Sequence, residues 1–170
     1  VYYMGQEEHP DDYQILIDRF IKSLNISKED GLLLVGHGGL GSGNSSYGNL
    51  QFKLIRDGLT NVRIAVLENA PYVADVAMPW EWLDGKRPNT IHLHPLLLVL
   101  GDHAQNDLFG DEEDSVVNEL TEAGYEVNPI NAGLGEYEVI QDIFRQHLQD
   151  CIDDLYGKRS PHRPAIPNIK

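Results

Sequence analysis

Three residues spaced along this chain carry side chains suited to one divalent cation: His37, Glu68 and His103. Each stands at the end of an apolar run that reads as a β-strand: residues 32–35 before His37, 62–67 before Glu68 and 91–100 before His103. In a parallel α/β sheet, ligands gather outside the carboxyl ends of the strands, so these three ends are expected to converge on one edge. Two imidazoles and a carboxylate suit borderline cations such as Co2+, Ni2+, Fe2+ or Zn2+, and three protein ligands leave positions open for a second reactant. Singly, a loop histidine is more often a polar contact and a glutamate after a strand more often a helix cap. Their convergence is what points to a metal.

Other chemistries fit less well. The glycine-rich residues 36–43 begin at a histidine neighbour and lack the Lys-Ser/Thr ending of a phosphate loop, so no nucleotide is expected. Ser42, Ser45 and Ser46 lack a nucleophile elbow. His92 and His94 share one face of their strand and read as core, although His94 stands where an apolar residue is expected and so is a further candidate for the metal pocket. His9, His147 and His162 read as surface or packing residues. The lone Cys151 excludes an intrachain disulfide and, on an apolar helical face, reads as core. Residues 111–114 read as the acidic start of a helix.

A formal net charge of −14 repels a phosphate backbone, and Lys and Arg are scattered apart from Lys158, Arg159 and Arg163, so nucleic acid is not an expected partner. No eighteen apolar residues run together and no basic-then-apolar leader opens the sequence, so neither a membrane nor export is expected and the cytoplasm is the expected location. The first residue is Val1, which points to a processed chain or a fragment.

The elements that must hold these residues follow from spacing. Pro10 suits the first turn of a helix carrying Tyr13, Leu16, Ile17, Phe20, Ile21 and Leu24 on one stripe. A helix is predicted over 44–56, a short one after Pro71, one ending at Gly124, and a long one carrying Val139 to Leu155 at helical spacing. Residues 79–88, with two tryptophans, read as a mobile loop or insertion, and Pro95 marks a bulge or break in the strand at 91–100. A last short strand is predicted over 125–130. Strand and helix alternate throughout, which implies a mostly parallel sheet of four or five strands, covered on both faces as a three-layer αβα sandwich. The 170 residues, 41% of them hydrophobic, suffice for one domain over 1–157, followed by an irregular tail at 158–170.

The segments Val35-Gly36-His37-Gly38 with Asn44 and Tyr47, Leu67-Glu68 with Pro71, and His94-Pro95-Leu96-Leu97-Leu98-Val99 stand in a telling order. Gly101-Asp102-His103-Ala104 with Asn106, Asp107 and Asp111, and Gly133-Leu134-Gly135-Glu136, complete the series. In order and approximate spacing, over about residues 9–150, they resemble the anaerobic sirohydrochlorin cobaltochelatases, class II chelatases of early-cobalt cobalamin synthesis. The resemblance implies ATP-independent insertion of Co2+ into sirohydrochlorin or precorrin-2, with His37, Glu68 and His103 as catalytic metal ligands and His37 accepting the pyrrole protons. It places Gly38, Asn44, Tyr47, Asp102 and Asn106 around the macrocycle. Backbone N–H groups after His37 and His103, with Lys86 and Arg87, are the expected donors to the macrocycle's carboxylates.

Two departures stand out. Gly41 occupies a position where the family often has a second histidine, and the chain corresponds to the second of the family's two lobes. The resemblance therefore implies a partner: the other lobe, or a second copy of this chain. A non-catalytic tetrapyrrole- or metal-binding module, and an iron or nickel chelatase, are the alternative readings.

Overall fold

The computed structural model describes residues 11–82 and 85–156, which fall into two compact units. The larger, Asn25–Gly135, contains a four-stranded sheet in the order β2-β1-β3-β4, every pair parallel. The strands are β1 (Gly31–Gly38), β2 (Val62–Glu68), β3 (Thr90–Pro95) and β4 (Glu126–Pro129). The α/β class and the parallel sheet are as the sequence implied. From β1 the chain adds β2 on one side and then returns to place β3 on the other, so the order reverses at β1. A parallel sheet opens a crevice outside its carboxyl ends at such a reversal.

Composition explains the positions of the strands. Leu32, Leu33, Leu34 and Val35 are all buried, the continuous apolar run of a central parallel strand. Edge strand β2 has its outer polar groups satisfied from within the unit. Ile64 N donates to Gln51 Oε1 at 2.9 Å, Val62 O accepts from Gln51 Nε2 at 3.1 Å, and Val66 N donates to Pro71 O at 2.9 Å. Gln51 belongs to α2 (Ser45–Arg56), so one helical amide closes an edge that would otherwise invite another strand. Pro95 ends β3 without bulging it, because the ladder needs no N–H beyond Leu96, which donates to Val35 O at 2.6 Å.

One face of the sheet packs Leu33, Val35, Ala65, Ile91 and Leu93 beneath residues of α3 (Val73–Val76), α4 (Asp102–Phe109) and α5 (Val116–Glu122). Ser115 caps α5, its side chain accepting from Asn118 N. Gly124, at φ +87°, closes the helix: its N–H reaches Thr121 O and that of Tyr125 reaches Leu120 O. The acidic residues 111–114 therefore lie in the turn ahead of the cap, outside the helix they were expected to open. The segment around His103 forms α4, a helix the spacing did not predict; among its described side chains only Leu108 is buried, too little to show a period.

Trp80 corrects the expectation of a mobile loop. It is 1% exposed, with the Arg63 guanidinium 4.9 Å from its ring centroid and the Tyr125 ring edge-on at 6.4 Å. Arg63, itself buried, donates to the carbonyls of Trp80, Val62 and Thr60, which disperses its charge over three acceptors. His92 and His94 lie on the opposite sheet face from Leu33 and Leu93. His94 is fully buried there, its Nδ1 2.7 Å from Pro95 O, and is core.

In the smaller unit, residues 11–24 with 136–156, α1 (Asp12–Ile15) is capped by Asp11 and runs on through a π turn (Leu16–Phe20) and a 3-10 turn (Ile21–Leu24). Phe20 meets Tyr137 edge-on at 4.7 Å. Helix α6 (Glu138–Leu155) has the predicted stripe, yet Phe144, Leu148, Cys151 and Leu155 on it are exposed. Cys151 is thus not core: helical spacing identifies an apolar face but does not supply what covers it.

Trp80→Ala is expected to destabilise the protein by about 3–5 kcal/mol through loss of a buried aromatic and its guanidinium contact. Urea denaturation checks this; a loss near zero would restore the mobile-loop reading.

Candidate functional site

His37 and Glu68 sit at the carboxyl ends of neighbouring strands, and two glycines make their meeting possible. The sequence suggested that His37 follows its strand; in the structure β1 continues through it, and Gly38 pairs in register with Glu68. Gly38 has φ +80°, and a Cβ there would lie 2.0 Å from Glu68 O. Only glycine allows β1 to run that close to β2. Two residues earlier, a Cβ on Gly36 would lie 2.5 Å from the Tyr47 ring. Tyr47 fills that space, and its hydroxyl accepts from Gly38 N at 3.5 Å.

Further contacts tie the loops behind the pair. Asn44 donates to the carbonyls of Glu68 and Ala70 at 3.3 and 3.0 Å, and Asn69 donates to Gly39 O at 3.1 Å. Asn69 occupies the left-handed region at φ 66° and was missed from sequence. Its signal was the residue type, since asparagine tolerates that conformation in a turn. Gly38, Asn44 and Tyr47, expected to touch a macrocycle, thus hold the His37–Glu68 pair in place.

His37 Nδ1 lies 4.0 Å from Glu68 Oε2, and the two side chains are 60% and 58% exposed. An ion pair this open contributes little to stability. The separation is close to the roughly 4 Å that two donors can span when each lies about 2.1 Å from one ion. His103 is the second residue of α4, reached by the loop that follows β3 on the other side of β1. Its side chain lies outside what the structure describes, and among the described residues no three His, Cys, Asp or Glu side chains form a metal-sized group. Asp102 and Asn106 are exposed on the same helix.

Arg87 does not belong with these residues. It donates to Met78 O at 3.2 Å and Ala123 O at 2.6 Å, with its guanidinium 4.0 Å from the Tyr125 ring centroid, ahead of β3 at the amino end of the sheet. Lys86 borders a small pocket of about 40 Å³ at that same end, beside Lys28, Asp30 and Asn61. The expectation that both reach the macrocycle is therefore corrected: the sequence placed the 79–88 segment between strands without revealing which end of the sheet it covers.

A larger cleft, about 290 Å³, opens beside the end of β2 between Leu67, Tyr72, Val73, Val116, Asp114 and Glu119. Among the described residues, no helix is long and apolar enough to cross a membrane.

Residues 1–153 match the cobalt chelatase (CbiK) family. The chain belongs to that family. It is 29% identical over 129 residues to the sirohydrochlorin cobaltochelatase of Salmonella typhimurium, covering 76% of this chain and 47% of that protein. It is likewise 29% identical over 127 residues to sirohydrochlorin cobaltochelatase CbiKC of Nitratidesulfovibrio vulgaris, covering 75% of this chain and 44% of that one. The chain thus spans somewhat less than half the length of the curated relatives it matches.

Desolvation raises the carboxyl pKa of Glu119 above its ordinary 4.5, and repulsion from Asp114 and then Glu122 adds to the shift. The folded chain therefore holds this proton more tightly than the unfolded one, a stabilisation fully present below pH 4.5 and lost as pH rises through the raised folded value. Glu119→Gln is expected to raise Tm at pH 7 and to match the parent at pH values where the glutamate is protonated in both states; thermal unfolding at the two extremes checks it.

Proposed function

We propose that this chain forms the metal-bearing half of a sirohydrochlorin cobaltochelatase, with His37, Glu68 and His103 as the ligands that deliver Co2+. Family membership supports the reaction class, and one geometric observation supports the site: His37 and Glu68 stand together, exposed and braced, beside the point where the strand order reverses. The reaction needs no redox step or nucleotide. Co2+ forms bonds to four pyrrole nitrogens, two N–H protons leave, and the metal parts from its protein ligands.

In this reading the Glu68 carboxylate offsets the cation's charge, and the imidazoles of His37 and His103 complete a three-donor set with open positions. His37 then accepts a departing proton, because imidazole exchanges protons near neutral pH. The donor set does not choose among neighbouring divalent metals; the family's cobalt is the reason for naming Co2+.

A second body closes the open side of the site, either a further lobe or another copy of this chain. The exposure of His37 and Glu68 supports this. In the smaller unit, taken by itself, the exposed Phe144, Leu148, Cys151 and Leu155 of α6 are spaced four, three and four residues apart as in a helix–helix seam, a surface for another chain.

His37→Ala is expected to slow Co2+ insertion into sirohydrochlorin by about 10²–10⁴-fold, with the fold intact because the side chain is exposed. Glu68→Gln, which keeps the shape and removes the charge, should also lower the rate. The visible spectrum of the macrocycle reports both. Unchanged rates would remove the pair from the reaction, and tight binding of the cobalt product without turnover would indicate a non-catalytic carrier. For the α6 seam, Leu148→Lys is expected to weaken association in sedimentation velocity; a variant that associates like the parent would remove α6 from any interface.

A further inference from the structure

The Gly133-Leu134-Gly135 segment, like Gly38, packs closely against a neighbouring backbone. A Cβ on Gly133 would lie 2.9 Å from Leu98 O, with Leu100 N and Val99 Cα both at 3.4 Å. A Cβ on Gly135 would also lie 2.9 Å from Leu98 O. Both glycines abut the backbone of the loop that follows β3, and nothing longer fits without displacing it. Leu134 N donates to Leu97 O at 2.7 Å and Gly135 N to Leu98 O at 2.9 Å, while Leu96 N on the other side is tied to Val35 of β1. The loop is therefore clamped on both flanks and continues the strand next to the one that bears His37.

What the clamp holds is an uncharged segment, Pro95-Leu96-Leu97-Leu98-Val99-Leu100-Gly101, in a chain of net charge −14. Leu97 and Leu100 turn inward against the core, whereas Leu98 is 47% and Val99 75% exposed. A fastened loop that presents two neighbouring aliphatic side chains at the carboxyl edge of the sheet keeps them from collapsing onto the protein. The occupant must have a broad apolar face and arrive beside His37. A tetrapyrrole meets that requirement: its conjugated ring is flat and apolar, and its carboxylates lie at the rim, where an acidic chain repels them.

Resting on the chelatase reading above, we infer that Leu98 and Val99 form the platform for one face of the macrocycle, held in position by the Gly133–Gly135 clamp. They are positioning residues. Their contact is made equally with the ground and transition states, so their loss raises KM and leaves kcat. The clamp acts through them: bulk at Gly133 or Gly135 shifts the platform and has the same kinetic effect.

The test is steady-state Co2+ insertion into sirohydrochlorin by the 170-residue chain at saturating Co2+. Leu98→Ser with Val99→Ser is expected to raise KM about tenfold or more, with kcat within about twofold. Leu98→Met with Val99→Ile should behave as the parent, and Gly135→Ala should raise KM in the same direction. Val99→Ser alone, at a largely exposed position, separates an effect on binding from any on folding. A parent that metallates beside a serine variant of unchanged KM overturns the platform and leaves the chelatase reading intact. So does a variant altered only in its association with other copies, which would assign the two side chains to a protein interface. A parent that never metallates, either alone or together with a lobe that closes the site, overturns both.

Discussion

The approach of Gly38 to the carbonyl of Glu68 is the contact on which the candidate site depends. Because neither Gly36 nor Gly38 carries a Cβ, β1 keeps its pairing with β2 to the last residue while the Tyr47 ring lies against it. His37, between the two glycines, is thereby fixed relative to Glu68 by backbone geometry and not by the weak attraction between two exposed side chains. A pair held this way keeps its geometry without relying on the attraction between its own side chains.

The same device recurs on the next strand. Gly133 and Gly135 lie against the loop after β3 as Gly38 lies against β2, and in both places backbone contact accompanies exposed side chains, His37 in one and Leu98 and Val99 in the other. The apolar surplus of the chain is used in two ways. Leu33, Val35, Ile91 and Leu93 fill a core, while Leu98, Val99 and the α6 stripe remain uncovered, surface that a folded chain retains at a cost in free energy unless something binds it.

At the opposite end of the sheet, cationic side chains serve structure. Arg63 and Arg87 bind backbone carbonyls and stack on Trp80 and Tyr125, and neither is placed to attract a carboxylated ligand to the site.

The sequence by itself determined the class of fold, the strands and most helices, because continuous apolar runs and helical periods are written in consecutive residues. It also marked His37 and Glu68, since both stand at strand ends that the apolar runs reveal. Only the tertiary structure decided which end of the sheet a connecting segment covers, so Arg87 was misplaced and Trp80 was taken for a loop residue. It alone placed His103 on a helix, α4, in which Leu108 is the one buried residue among the described side chains, and left Cys151 exposed. Spacing along a chain fixes which side chains share a face; what lies opposite that face depends on residues distant in sequence, and on the glycines whose missing atoms let two backbones touch.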